Sequence, residues 1–349
     1  MCWPGVTDAA WPPRARPGRH GRRLYIRAPG GLLTTRQLRT VGEVSRRYAQ
    51  DLVTITGQQF RLPLDQARQR PEVTARLGAA GLTVAGDPDG ASPLFVGSPV
   101  AGIARDEIVD GTPALREIRD QPAVLAGLPR AFTTTVSGSP RQDVLHEASD
   151  VSFSGVRHPD RGPGFDVRVG AGLLAHPARA GRLGAFVTRA EVPAVWASIA
   201  NAFGDFGYRR LDRRQRLALL LEDTGPTAGG PAGASGFRRL IEREYLHYGL
   251  ADGPAPPPAG PRDHTGVHPQ RDGRYYIGVS PAAEDAAPLT GLTALADLAE
   301  AHGSTRVRIT PYQKLIVLDV SPGQVESFCG RLDRIGLTAR PGLSRHRCP

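Results

Sequence analysis

The sequence predicts an α+β protein in which a βαββα unit occurs twice, with a different α/β module between the copies. Three observations predict it. A strand–helix–strand–strand–helix pattern near the N-terminus returns near the C-terminus with matching residues. The segment between the copies carries strand and helix patterns of another kind. The 349 residues, 40% hydrophobic and 22% charged, have a globular composition and exceed what one ordinary core holds.

Residues 1–22 read as an irregular N-terminus, and residues 23–85 as the first copy. Leu24-Tyr25-Ile26 forms a short strand closed by Pro29-Gly30-Gly31. Thr34 and Gln37 make a capping box, with Leu33 and Leu38 placed as its hydrophobic staple. Leu38, Val41, Val44 and Tyr48 follow at helical spacing. Val53 to Thr56 and Phe60 to Leu64 read as two strands around the polar loop Gly57-Gln58-Gln59. Val73 to Ala80 reads as a second helix, ended by Gly81.

The same order returns over residues 264–338. Arg274-Tyr275-Tyr276-Ile277 matches Arg23-Leu24-Tyr25-Ile26. Leu292, Leu295 and Leu298 match Leu38, Val41 and Val44 at one constant offset, and Asp297 falls on Glu43. Val307-x-Ile309-Thr310-x-x-Gln313 matches Val53-x-Ile55-Thr56-x-x-Gln59 at that same offset. Gly336-Leu337-Thr338 matches Gly81-Leu82-Thr83 with one residue more. The repeat implies duplication. Each copy is most of a ferredoxin-like fold, and two copies can pair about a pseudo-two-fold axis. The tips Gly57-Gln58-Gln59 and Pro311-Tyr312-Gln313-Lys314 then face a common centre, or are ordinary hairpin turns.

Residues 92–223 form the middle module. It holds Val96-Gly97-Ser98-Pro99, a strand from Phe132 to Val136, the segment Phe165 to Gly172, and a helix from Val192 to Phe203. Residues 224–261 read as a Gly/Pro-rich linker with a short helix, Phe237 to Leu250. Residues 339–349 read as an irregular tail, as after a frame change or an early stop.

The net charge is +10, and all but one of the 44 basic residues are arginine, Lys314 being the exception. An anionic partner is implied, but no basic run interleaves with aromatics, so nucleic acid is not predicted. The longest aliphatic run, Leu217 to Leu221, is far below the ~20 residues of a membrane span. With no apolar leader in the first residues, a cytoplasmic protein is expected. The three cysteines, Cys2, Cys329 and Cys348, exclude a disulfide framework and argue against a cysteine-ligated cluster within this chain. His264 and His268 have metal-like spacing, but Gly266 and Pro269 argue against one helix presenting both, and no metal site is predicted.

The stretches PGGLLTTRQLRTVGEVSRRYA, VGSPVAGI, LPRAFTTTVSGSPRQDVLHEASD, GPGFDVRVGAGL, DHTGVHPQRDGRYYIGVSP and VRITPYQKLIVLDV resemble the ferredoxin-dependent sulfite and nitrite reductases. The resemblance covers about residues 23–340. It implies two ferredoxin-like half-domains and one siroheme-domain-like lobe, with a second such lobe missing. It implies six-electron reduction of sulfite or nitrite at a siroheme bridged to a 4Fe-4S cluster, and an acidic electron donor such as ferredoxin. Precorrin-3B synthases share the fold and are an alternative, as is a non-catalytic remnant or cofactor-binding scaffold.

By that resemblance Arg130 and Arg216 are the candidate catalytic cations, Arg130 also facing the cofactor. Siroheme carries eight carboxylates, which guanidinium groups neutralise and orient. Arg141, His146, Gly170 and Gly172, with Gln58, Gln59, Gln313 and Lys314 at the tips, are the implied cofactor-binding residues. Arg141, Asp143 and His146 read equally as a structural hydrogen-bond cluster. Three departures stand out. Gly57 replaces an arginine of the family's first tip; Thr133 and Ala218 replace lysines. The four cluster cysteines belong to the missing lobe, so the 4Fe-4S cluster is not expected to be held by this chain alone. An uncovered apolar face on Ser92–Asp223 is expected, leading to a homo-oligomer or a separately encoded partner lobe.

Overall fold

The computed structural model describes residues 23–85, 93–126, 128, 132–144, 149–170, 181–207, 217, 221, 233–258, 260, 262–282 and 289–341. Arg130, His146, Gly172, Arg216 and Ala218 lie outside the described residues.

In chain order the first copy comprises β1 (Arg23–Arg27), β2 (Leu32–Thr34), α1 (Thr35–Tyr48), β3 (Thr54–Thr56), β4 (Gln59–Pro63), α2 (Arg70–Ala79) and β5 (Thr83–Ala85). The middle region supplies β6 (Leu94–Gly97), α3 (Thr112–Arg119), α4 (Pro122–Ala126), β7 (Thr133–Ser137), β8 (Val151–His158), β9 (Gly162–Val169), β10 (Gly181–Val187), α5 (Val192–Gly207), α6 (Gly233–Ile241) and β11 (Ala251–Asp252). The second copy comprises β12 (Gly266–Pro269), β13 (Tyr275–Pro281), α7 (Leu292–Ala301), β14 (Arg306–Ile309), β15 (Leu315–Val320), α8 (Val325–Leu332) and β16 (Leu337–Thr338).

The two copies have the same strand order. The first sheet runs β3-β4-β1-β5; the second runs β14-β15-β13, with β16 and β12 both pairing β13. The capping box forms as the sequence predicts: the Thr34 hydroxyl accepts from Gln37 N–H, and the Gln37 side chain accepts from Thr34 N–H. The chain then exchanges strands. β2 leaves its own copy and pairs antiparallel with β14, Leu33 opposite Val307. In return Leu289, just ahead of α7, bridges Val53.

One hydrophobic cluster therefore spans both copies, joining Leu24, Val41 and Phe60 to Ile277, Leu295 and Val317. Helices α1 and α7 close it face to face. Gly42 permits their approach, since a Cβ there would stand 2.5 Å from Thr293 Oγ1 and 2.7 Å from its backbone nitrogen. On the outer rim Arg39 bonds both Asp297 and Glu300.

The middle region forms a six-stranded sheet, β11-β10-β9-β8-β7-β6, with β6, β7 and β8 parallel. Its core is separate and includes Phe153, Phe165, Val195, Ile199 and Phe203. Trp196 closes the α5 side, its indole N–H donating 2.9 Å to Thr134 Oγ1. The short helix predicted from Phe237 starts at Gly233 and ends in a π-turn over Glu242–Leu246.

Among the described residues only Tyr248 and Val267 are large hydrophobics that are exposed. The apolar face expected on Ser92–Asp223 is thus not found among its described residues: the buried apolar side chains of β6–β10 pack under α3, α5 and α6. No described helix is long and apolar enough to cross a membrane.

Candidate functional site

The first tip is a two-residue hairpin, Thr56 opposite Gln59, with Gly57 at φ +56° and Gln58 at φ +63°. Two positive φ values define a type I′ turn, which favours glycine. Position 57, where the resemblance implies an arginine, thus holds the residue this turn takes most easily. Gln58 does not point into open space. Its Nε2 donates 2.7 Å to Gly97 O, and Gly97 N–H donates back to its Oε1 at 3.0 Å. Gly97 ends β6, the edge strand of the middle sheet, so this amide pair fastens the first copy to the module. Gln59 accepts 2.9 Å from Arg27 Nε across β1 and β4. Burial, and then the nearby Arg119, push the Arg27 guanidinium below its ordinary value.

The second tip is one residue longer. Thr310 N–H bonds Lys314 O across it, whereas Thr56 faces Gln59 in the first. Lys314 therefore occupies the register position of Gln59, and Gln313 that of Gln58. Matching Gln313 to Gln59 at a constant offset is corrected by this insertion. Gln313 has φ +62°, as Gln58 has, but is exposed. Lys314 Nζ donates 2.9 Å to Asp263 Oδ1. The two tips approach each other at Gly31, where an added Cβ would meet both Ile309 O and the Gln58 side chain.

Behind the first tip, Asp143 is wholly buried and accepts from the hydroxyls of Ser98 and Ser137. Burial pushes its carboxyl upward, against those two bonds. Arg262 bonds Asp106 and Ser139, while Arg141 stands 3.6 Å from Asp106 on the surface. Gly170 has φ +80° and donates its N–H to Asp150 O at 2.9 Å. At position 133 the threonine starts β7, its N–H bonded to Asp150 Oδ2. His264 and His268 do not converge: they stack on different tyrosines, Tyr312 and Tyr276. His268 Nε2 is also 3.0 Å from Thr265 O.

The three parts meet around a cavity of about 390 Å³. Gly30 and Leu32 come from the first copy, Gly97 to Ile103 and α3 from the module, and Gln270 to Asp272 with Arg306 and Arg308 from the second copy. None of the described site residues predicted from sequence lines it. Five arginines do: Arg116, Arg119, Arg271, Arg306 and Arg308. Sequence reading missed them, yet one signal was present. In Arg306-Val307-Arg308-Ile309 the apolar residues enter the core and the arginines share the other face. Arg308 is buried on that face, which shows that the module covers it.

Glu107 lies behind the loop that forms one wall. Its carboxylate accepts from Gly102 N–H and from Arg271 Nη2 at 2.7 Å. Burial pushes it up to about 7, with Asp110 adding to the shift.

Two family models match the chain: the nitrite and sulphite reductase 4Fe-4S domain over residues 95–228, and the nitrite/sulfite reductase ferredoxin-like half domain over residues 268–335. The chain belongs to the nitrite and sulfite reductase family. It is 40% identical over 323 residues to the sulfite reductase [ferredoxin] of Mycobacterium tuberculosis strain H37Rv, covering 91% of this chain and 56% of that protein. The assimilatory ferredoxin-dependent nitrite reductase of Haloferax mediterranei is 31% identical over 348 residues, with coverages of 90% and 56%. The solved structure of the Mycobacterium tuberculosis NirA protein matches with a TM-score of 0.80 at 39% identity, covering 91% of this chain and 57% of that one. The chain thus spans a little over half the length of these relatives.

Proposed function

We propose that this chain is a siroheme-binding component of a sulfite or nitrite reductase that draws electrons from ferredoxin. The 40% identity with a sulfite reductase [ferredoxin], carried through 91% of the chain, supports this reading most strongly. The guanidinium of Arg27, half-buried beside Gln59 and lowered by burial, is a cation of the kind that suits a carboxylate-rich cofactor. Arg130 and Arg216 are proposed to face cofactor and substrate, with Arg141, His146, Gly170, Gly172, Gln58, Gln59, Gln313 and Lys314 as the surrounding residues. Siroheme would supply the iron at which the substrate anion is bound and reduced.

The residues of this chain would do the rest by charge. Arginines orient carboxylates by paired N–H donation and stabilise negative charge on the substrate oxygens. The Gln58–Gly97 pair holds the first tip against the module and so fixes Arg27 and Gln59 relative to it. A four-iron cluster does not fit this chain alone: it needs four thiolates, and the sequence holds three cysteines. A second reading, a cofactor-binding scaffold without turnover, is favoured by Gly57, Thr133 and Ala218 standing where the family has cations.

Reduction of sulfite and of nitrite, driven by reduced ferredoxin, tests the choice. The chain with siroheme should be inactive alone and gain activity when a cluster-bearing C-terminal half of a relative is supplied. Activity of the chain by itself would contradict the incomplete-component reading. Siroheme binding with no activity under either condition would select the scaffold.

A further inference from the structure

The arginines around the cavity are poorly matched with carboxylates. Arg306 is paired with Asp319 through two bonds, and Arg271 with Glu107. The remaining three are different. Arg116 and Arg119, one turn apart on α3, have no ion-pair partner among the described residues. Arg308 is 6% exposed and has only carbonyl oxygens to bond, Pro99 O at 2.8 Å and Ala101 O at 3.0 Å. Its Nε is buried without a hydrogen-bond partner. Two lining carboxylates, Asp110 and Asp272, oppose these charges, Asp110 acting on Arg308 itself, but neither forms an ion pair with the three among the described residues, and the lining keeps more guanidinium than carboxylate. Asp110 accepts from Thr112 N–H, and Asp272 from Arg274 N–H.

A buried cation with an orphaned donor is costly unless an anion meets it. Burial, and then Arg306, push Arg308 down to about 10, as that cost requires. The lining also limits what the anion is. Among the described residues it contains no aromatic side chain, so these offer no face on which a base or a macrocycle can stack. Its volume of about 390 Å³ is near the small end of ligand cavities. Guanidinium donors in this number suit a compact anion with several oxygens.

We propose that the cavity enclosed by α3, the 97–103 loop and β14 binds one small free oxyanion of the sulfate, sulfite or phosphate class, held by Arg116, Arg119 and Arg308. The site adjoins the residues proposed for siroheme, since Gly97 of its lining bonds Gln58 and Arg119 lies near Arg27, but it contains none of them, and it stands whether or not the chain takes part in reduction. A carboxylate edge of siroheme has the same chemistry, so the test must tell the two sources apart.

Calorimetric titration of the full chain with sodium sulfate, and separately with sodium phosphate, against sodium chloride at matched ionic strength reads the binding. One saturable oxyanion per chain is expected. Arg116→Ala with Arg119→Ala should weaken it by about tenfold or more. Arg308→Met should remove it. Should that variant fail to fold, the helix α3 double variant alone decides. Titration of siroheme-loaded chain should give the same affinity as the apo chain. Binding that does not saturate, that chloride reproduces, or that the double variant leaves unchanged would overturn the site. Loss of binding on siroheme loading would also overturn it, by assigning the cavity to the cofactor.

Discussion

Gln58 and Gly97 exchange two hydrogen bonds in a buried setting, and loss of one partner leaves both Gly97 groups unsatisfied. Gln58→Ala should therefore destabilise the chain by about 1–3 kcal/mol, measured by urea unfolding. Gln58→Asn, too short to span the gap, should behave similarly; no change in either would show that the pair does not fasten the module. Glu107 gives a prediction in pH. Its folded value, about 7, lies above the ordinary 4.5, so its contribution to stability is complete below pH 4.5 and is lost as pH rises through 7. Urea midpoints should fall over that window, and Glu107→Gln should flatten the fall. The Thr34–Gln37 box was legible in the sequence because both partners lie within one turn. The Gln58 bond was not, because its partner is 39 residues away and is selected by an edge strand that only folding creates.

At the level of elements, the repeat was legible in strands and helices because apolar spacing reports which face enters a core. The exchange of β2 was not. Three residues after Pro29-Gly30-Gly31 carry too little pattern to show which sheet they join. The extra residue in the second hairpin was hidden because the Gln59-to-Gln313 match looked continuous. Gly42 supplies the sharpest test of the paired copies. Alanine for glycine inside a helix ordinarily stabilises by roughly 0.5–1 kcal/mol. Here the added methyl would enter α7 at Thr293. Gly42→Ala should instead lower stability by about 1–3 kcal/mol in thermal or urea unfolding, as overpacking does. A stabilised variant would mean that α1 and α7 are not in contact.

For the whole molecule, the family and the α+β class were legible because long motifs persist through most of the chain. The cavity was not, since its lining comes from three separate stretches of sequence that meet only in the folded molecule. The apolar face expected at this scale is not seen among the described residues, where only Tyr248 and Val267 are large exposed hydrophobics. The family places siroheme beside a cluster, yet this sequence has three cysteines, so cofactor content is where the central claim is most exposed. The direct measurement is anaerobic purification of the chain made with siroheme supplied, followed by absorbance, total iron and acid-labile sulfide per chain. The expected result is one siroheme with one iron and no stoichiometric sulfide. A chain that takes up no siroheme, or that carries four further irons with matching sulfide, would contradict it.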